Sequence, residues 1–180
     1  MNEKINGDAF TLLTLMDDNQ FDAIITDPPY DFKQEQKEYI HKQMKRVCKD
    51  TMVIFSPPEN PWIHPADQYL FWQKPISTKN TSKRYSRFVE MMFVYQLNDN
   101  PTWNCKRHWS QYTNVFMDLV DDSKVHPFRK PPSLIERLIL NHTNEGDIIL
   151  DPFAGSFVIA EVAERLGRDC VSIEIDENRF

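Results

Sequence analysis

The residues with the clearest potential for chemistry are Thr26-Asp27-Pro28-Pro29-Tyr30, which follow the short apolar run Phe21-Asp22-Ala23-Ile24-Ile25. Such a run predicts a buried strand of a parallel sheet, with Asp27 in the loop at its carboxyl end. The two prolines fix φ and remove two backbone donors, so the loop is stiff and its carbonyls are free to accept hydrogen bonds. Asp27 and the Pro28 carbonyl could accept hydrogens from the amino group of a planar ring, while Tyr30 stacks on that ring. A simple turn at the end of a strand is the alternative for this stretch taken alone.

A second acidic loop lies far downstream, at Asp151-Pro152-Phe153-Ala154-Gly155-Ser156-Phe157. It follows the run 147–150, in which an acid precedes three apolar residues, and it precedes a helical pattern near Val158 to Leu166. The next predicted strand ends in Glu174. An acid about 20 residues beyond a glycine turn accepts hydrogen bonds from ribose hydroxyls in nucleoside-binding sheets. The sequence has neither Gly-x-Gly-x-x-Gly nor a Walker lysine motif, so we expect a nucleoside without a pyrophosphate.

The remaining pattern alternates short apolar runs with helical stretches, which predicts an α/β fold. Asp8 stands between a short predicted strand and the first helix, where it could cap the helix or face a ligand. The predicted strands are 3–6, 51–55, 69–72 and 90–95, and the predicted helices are about 33–49 and from about 133 onward.

Composition bounds the class of protein. With 180 residues and 41% hydrophobic content, the chain is expected to form one domain, 1–180. It has no apolar run of membrane-spanning length and no signal-peptide pattern at its N-terminus, so we expect a cytoplasmic protein. Its three cysteines are far apart and lack zinc-site spacing, which predicts reduced thiols and no metal site.

The net charge of −6 is unevenly distributed. Residues 71–130 contain ten basic and five acidic side chains, so the middle of the chain is locally basic. This stretch is either a solvated loop or a surface that contacts nucleic-acid phosphates. The candidate DNA-binding residues are Lys74, Lys79, Lys83, Arg84, Arg87, Lys106 and Arg107.

Taken together, these motifs resemble the S-adenosylmethionine-dependent DNA amino-methyltransferases, of the permuted, beta-class-like kind in which the catalytic loop precedes the cofactor loop. The resemblance covers nearly the whole chain. It is carried by Asp27-Pro28-Pro29-Tyr30, Trp72-Gln73-Lys74-Pro75, Arg87-Phe88-Val89-Glu90, His126-Pro127-Phe128-Arg129-Lys130-Pro131 and Asp151-Pro152-Phe153-Ala154-Gly155-Ser156. It implies a Rossmann-like, seven-stranded, mostly parallel sheet with helices on both faces, in circularly permuted motif order. The N-terminal strand would lie beside the C-terminal strand, and residues of about 96–125 would form a short target-recognition insert.

The resemblance also implies a function: methyl transfer from S-adenosylmethionine to the N6 amino group of adenine in DNA, by direct in-line attack on a flipped base. Asp27, Pro28, Pro29 and Tyr30 would be the catalytic residues. The expected cofactor-binding residues are Asp8, Lys130, Asp151, Phe153, Ala154, Gly155, Ser156 and Glu174, with Lys130 at the methionine end. DNA is the expected partner, no membrane is involved, and a homodimer is allowed. The alternatives are N4-cytosine or RNA methylation, or a catalytically silent DNA-binding subunit, because Phe157 stands where the family usually has glycine.

Overall fold

The computed structural model describes residues 2–74, 88–105, 113–117 and 129–179. These residues form eight strands and four α-helices, followed by a short 3-10 helix, Glu177–Arg179. The strands are β1 (Asn2–Asn6), β2 (Phe21–Thr26), β3 (Cys48–Ser56), β4 (Gln68–Gln73), β5 (Val89–Gln96), β6 (Val115–Phe116), β7 (Ile148–Asp151) and β8 (Asp169–Glu174). The helices are α1 (Ala9–Leu15), α2 (Gln34–Val47), α3 (Pro132–His142) and α4 (Val158–Arg165).

The strands form one sheet in the order β1-β8-β7-β2-β3-β5-β4-β6. β5 is antiparallel to its neighbours β3 and β4, and the other paired strands are parallel. Strand β2 lies near the centre, and Ala23, Ile24 and Ile25 are fully buried because both faces of the sheet are covered. Helices α1 and α2 pack on one face, and α3 and α4 pack on the other.

The predicted α/β fold with a mostly parallel sheet is confirmed. The N-terminal strand is also where it was expected, because β1 pairs with β8 from Asn2 opposite Cys170 to Asn6 opposite Glu174. The predicted number of seven strands is wrong, since the described residues already form a sheet of eight. The additional strand is β6, whose two residues pair with Phe71 and Trp72, and a pair of residues is too short to show an alternating pattern.

The proposed insert, 96–125, is described only in part. Of the candidate DNA-binding residues, Lys79, Lys83, Arg84, Arg87, Lys106 and Arg107 lie outside the described residues. In the part that the structure covers, no helix combines the length and apolar character needed to cross a membrane.

Candidate active site

The two acidic loops meet in space because their strands are neighbours. β2 pairs with β7, and β7 pairs with β8, all in parallel, so their carboxyl ends share one edge of the sheet. A cavity of about 920 Å³ opens at this edge. All the predicted catalytic and cofactor-binding residues line it: Asp8, Asp27, Pro28, Pro29, Tyr30, Lys130, Asp151, Phe153, Ala154, Gly155, Ser156 and Glu174.

The Asp27 loop is fastened from outside the cavity by Asn60. The Asn60 side-chain amide donates to the carbonyl of Tyr30 at 2.8 Å and to that of Phe32 at 3.1 Å. Asn60 is itself held by the buried Lys37 ammonium, which donates to the carbonyls of Asn60 and Pro61 at 3.0 and 2.8 Å. These contacts supply donors to two carbonyls of the Asp27 loop and fix this loop against the one that follows β3.

Lys130 lies at the centre of a buried charge network. Its Nζ donates to Asp27 Oδ2, contacts Glu90 Oε2 at 3.2 Å and donates to the Tyr30 hydroxyl at 3.2 Å. The Tyr30 hydroxyl donates to Glu90 Oε2 at 3.1 Å, and Lys74 forms a further ion pair with Glu90. Two ammonium groups thus balance two carboxylates. The structure therefore places Lys130 against the predicted catalytic loop, although the resemblance assigned it to the methionine end of the cofactor.

The electrostatics of the network follow from these pairings. Burial disfavours the charged form of Lys130, but the carboxylates of Asp27 and Glu90 outweigh it and raise the pKa of Lys130 above its ordinary value. Burial alone would raise the pKa of Glu90, yet Lys130 and Lys74 hold it below the usual range. Burial, together with the charges of Asp27 and Glu90, raises the pKa of Tyr30, so its hydroxyl stays protonated.

The two carboxylate oxygens of Asp27 have different environments. Lys130 occupies Oδ2, whereas Oδ1 is buried and has no hydrogen-bond partner among the residues that the structure describes. A buried acceptor without a donor costs roughly 1–3 kcal/mol, so a ligand donor brought to this oxygen would be stabilised. Tyr30, two positions beyond Pro28, is 37% exposed even though its hydroxyl is engaged.

The other side of the cavity is organised by Glu174. Its Oε2 accepts from the backbone N–H of Gly155 at 2.7 Å and its Oε1 from that of Asp176 at 2.9 Å, which fixes the carboxylate at the end of β8. Gly155 has φ +53, a conformation that favours glycine. The backbone N–H of Ala154 donates to the carbonyl of Ile173 at 2.9 Å, so the whole turn is pinned to β8.

Asp8 caps helix α1, in agreement with one of the two interpretations of the sequence. Its Oδ1 accepts from the backbone N–H of Phe10 at 3.1 Å, and its Oδ2 accepts from the Thr11 hydroxyl at 3.3 Å. Capping does not remove it from the cavity, which it also lines. Phe153 faces the same space and makes an edge-on contact with Phe32, with ring centres 5.5 Å apart.

Asp151 connects the loop that contains Asp27 with the loop that contains Phe153. Its Oδ1 accepts from the Thr26 hydroxyl at 2.8 Å and from the backbone N–H of Phe153 at 3.3 Å. Burial raises the pKa of Asp151 to about 7, with the charges of Asp27 and Glu174 adding to the effect against the two hydrogen bonds. Asp151 therefore positions the junction of β2 and β7 and is only partly ionised at neutral pH.

Phe157 occupies the position where the resemblance leads one to expect glycine, and the backbone there has φ +57. A side chain in this left-handed region costs on the order of 1 kcal/mol. Phe157 is 6% exposed, and Lys4 Nζ lies 4.1 Å from the ring centre. Burial of the ring and this cation–π contact offset the backbone cost.

Sequence reasoning assigned no role to Glu90 or Lys37, which the structure places in the shell that supports the Asp27 loop. Glu90 belongs to the Arg87–Glu90 motif of the resemblance, and the sequence carries a signal for it: it is the single acid in the apolar strand β5, at the second position. Lys74, one of the candidate DNA-binding residues, lines the cavity with a side chain that is 19% exposed and paired with Glu90. Within the described ranges, no group of three His, Cys, Asp or Glu side chains could hold a metal ion.

A family model described as DNA methylase, N6_N4_Mtase, matches residues 21–180. The chain belongs to this family. Similar curated proteins are DNA adenine methyltransferase YhdJ of Escherichia coli (strain K12), 50% identical over 58 residues, and the type II methyltransferase M2.DpnII of Streptococcus pneumoniae, 34% identical over 127 residues. These matches cover 32% and 60% of this chain, but only 20% and 46% of the relatives' own lengths.

Two solved structures share the fold over nearly the whole chain. The M1.HpyAVI–SAM complex superposes with a TM-score of 0.79 at 26% identity, covering 99% of this chain and 96% of that one. The cytosine-N4-specific PvuII DNA methyltransferase superposes with a TM-score of 0.81, covering 98% of this chain and 83% of that one. At 18% identity, this second likeness shows the fold alone.

Proposed function

We propose that the chain is an S-adenosylmethionine-dependent DNA methyltransferase that acts on the exocyclic N6 amino group of adenine. The observation that carries this proposal is the buried Asp27 Oδ1, an acceptor without a donor in the described part of the chain, beside the half-exposed Tyr30. An amino group offers two hydrogens and sits on a flat ring. The Asp27 loop matches both properties, because it combines a hydrogen-bond acceptor with an aromatic face.

The lone pair of an exocyclic amino nitrogen is delocalised into the ring, which makes the nitrogen a poor nucleophile. Asp27 Oδ1 and the Pro28 carbonyl accept the two amino hydrogens, favour a pyramidal nitrogen and free its lone pair. Tyr30 stacks on the base, which must leave the duplex to reach the loop. The hydroxyl of Tyr30 is held by Glu90 and Lys130, so the ring is oriented before the base arrives.

The residues present fit the cofactor. Glu174 uses one lone pair of each oxygen for Gly155 and Asp176, which leaves acceptor capacity for ribose hydroxyls. Asp8 and Phe153 line the side where the adenine ring of the cofactor would lie, and the turn at Ala154-Gly155 faces its methionine end. When bound, S-adenosylmethionine supplies a methyl group on a positively charged sulfur. The solved structure of M1.HpyAVI is a complex with SAM, the same cofactor, and this likeness supports the assignment.

Adenine is preferred for two reasons: the loop begins with an acid, and YhdJ, named as an adenine methyltransferase, shares 50% identity over 58 residues. We further propose the permuted motif order, because the Asp27 loop precedes the Asp151 loop in the chain. Three further parts of the hypothesis concern DNA recognition and assembly. Residues 96–125 form a target-recognition insert, Lys74 and the six basic residues outside the described ranges contact DNA, and the protein forms a homodimer.

The test is single-turnover transfer of labelled methyl to DNA by the purified protein, followed by identification of the modified base. We expect N6-methyladenine. Asp27→Ala should lower the rate roughly 10²–10³-fold or more through loss of one positioned acceptor, with cofactor binding retained. Glu38→Ala, which removes an exposed carboxylate from helix α2, is the matched control and should leave the rate unchanged.

N4-methylcytosine as the product would replace the adenine assignment. A wild-type protein that binds neither S-adenosylmethionine nor its demethylated product at millimolar concentration would instead favour the silent subunit. Wild-type activity in Asp27→Ala would show that the catalytic assignment is incorrect.

A further inference from the structure

Glu90 is the only residue of the described part of the network that contacts both lysines and Tyr30. Its Oε1 pairs with Lys74, and its Oε2 accepts from the Tyr30 hydroxyl at 3.1 Å and lies 3.2 Å from Lys130 Nζ. It lies near the start of β5, the strand that runs antiparallel to its neighbours, with a side chain that is 10% exposed. Burying a carboxylate there costs several kcal/mol unless cations compensate it, so its presence calls for an explanation.

The position of Asp27 suggests an explanation for the buried carboxylate of Glu90. Asp27 has a choice of two oxygens with which to meet Lys130, and the lysine takes only Oδ2. Besides Asp27, the lysine Nζ contacts Glu90 Oε2 and the Tyr30 hydroxyl, each at 3.2 Å, and Glu90 also holds that hydroxyl. The rings of Phe55 and Tyr30 lie 5.2 and 5.6 Å from Nζ. An ammonium with a single carboxylate partner would be free to move across both oxygens of that partner.

We propose that Glu90 is a positioning residue for methyl transfer: through Lys130 it holds Asp27 so that Oδ1 alone stays open for the amino group of the target base. The same carboxylate orients Tyr30 through its hydroxyl. One residue on β5 therefore sets both the acceptor and the stacking face of the loop that follows β2. This inference rests on the proposed function for its kinetic consequence, but the geometry of the network can be tested without it.

The informative variant is Glu90→Gln. Glutamine keeps the size of the side chain, and its amide oxygen can still accept from Tyr30, but the negative charge opposite Lys130 and Lys74 is gone. Asp27 is then the only carboxylate left against Lys130 among the described residues. In the part of the chain that the structure describes, the groups that face Lys130 Nζ are Asp27, Tyr30 and Phe55 at the ends of β2 and β3, and Glu90 on β5. Removing one of the two negative charges lowers the pH at which Lys130 loses its proton.

Two measurements follow. First, the single-turnover rate of methyl transfer should fall on the order of 10- to 100-fold in Glu90→Gln near neutral pH, because the acceptor is misplaced rather than removed. The rate should also decline earlier on the alkaline side than in the wild type. Affinity for S-adenosylmethionine, measured by calorimetry, should stay within about two-fold, since the lost charge lies at the catalytic end of the cavity.

Second, the ¹³Cε resonance of Lys130 in lysine-labelled protein, assigned with Lys130→Arg, should titrate at lower pH in Glu90→Gln than in the wild type. This readout needs neither DNA nor cofactor. Glu136→Gln is the control for both measurements. It removes the carboxylate of an exposed ion pair between Glu136 and Arg165, and neither residue lines the cavity. This variant should match the wild type in both measurements.

The outcomes separate the two hypotheses. A wild type that methylates no DNA, together with the expected shift of the Lys130 resonance, would refute the proposed function and support the network. An active wild type whose Glu90→Gln variant has an unchanged rate at every pH would overturn the positioning role. A Lys130 resonance that titrates identically in both proteins would overturn it as well.

Discussion

Replacing Lys130 with methionine tests how strongly the active-site network contributes to the fold. The methionine side chain keeps most of the buried aliphatic length of the lysine, so the change removes mainly the charge. The Lys130 side chain is 7% exposed, and those of Glu90 and Asp27 are 10% and 26% exposed. Removing one partner from a buried ion pair costs about 3–5 kcal/mol, because the remaining charge is left without compensation.

Two features of this site place the expected loss of unfolding free energy in Lys130→Met at the lower end of that range. Glu90 retains Lys74, and water reaches about a quarter of the Asp27 side chain. We therefore expect Lys130→Met to lower the free energy of unfolding by about 3 kcal/mol. The loss should shrink in acid, because the pKa of Glu90 is held below its ordinary value by Lys130 and Lys74 against the effect of burial. The stability contributed by a lowered pKa is present above the ordinary pKa and is lost as pH falls through the lowered one.

The assay is equilibrium unfolding in urea at neutral pH and in acid, with the slope of the free energy against urea compared between proteins. Lys49→Met is the control: Lys49 pairs with Asp22 at 2.8 Å, but its side chain is 47% exposed, so the expected change is under about 1 kcal/mol. If Lys130→Met is no more destabilising than this control, the charges are effectively solvated and the argument from burial is refuted.

Two further predictions concern the cofactor side. Glu174→Ala should weaken S-adenosylmethionine binding in calorimetry by about 1–3 kcal/mol, through lost ribose hydrogen bonds and a freed Gly155 N–H; an unchanged dissociation constant would contradict the assignment. Asp151→Asn should gain stability relative to the wild type as pH rises. Burial raises the pKa of Asp151 to about 7. The stability that its protonated form gives the folded state is therefore fully present below about pH 4 and is lost as the pH rises through about 7. Asparagine does not titrate, so the difference in unfolding free energy should grow by up to about 1.4 kcal/mol per pH unit across this window, and a flat difference would refute it.

The residues that could be identified from the sequence are those whose chemistry is local. Asp27 follows an apolar strand, and Asp151 and Glu174 each end one, so the strand pattern placed them at one edge of a parallel sheet. Contacts between side chains that are far apart in the sequence have no comparable signal in the local pattern. Lys130 meets Asp27 across 103 positions and Tyr30 meets Glu90 across 60, and nothing in the local pattern of either residue encodes its partner.

The same limit applies to the elements. Strands β2 and β7 were predicted because each is a mainly apolar run of several residues, whereas β6 has two residues and is defined by its pairing with β4. The sequence also indicated that Phe157 departs from the usual glycine, but not that the backbone keeps the left-handed conformation in spite of the side chain. That outcome depends on burial of the ring, which is a tertiary effect.

The pairing of β1 with β8 has a consequence for the order of folding. Asn6 and Glu174 are 168 positions apart, yet the Asn6 side chain and the Gly7 N–H both donate to the Glu174 carbonyl at 3.0 Å. The loop-closure cost of such a contact is recovered only when the intervening chain is already compact, so this edge of the sheet is expected to join late. During synthesis, the ribosome releases Asp8 long before Glu174 exists. We therefore expect the wall that Asp8 contributes to the cavity to be completed last, so a nascent chain that has formed the Asp27 loop still lacks the finished cavity.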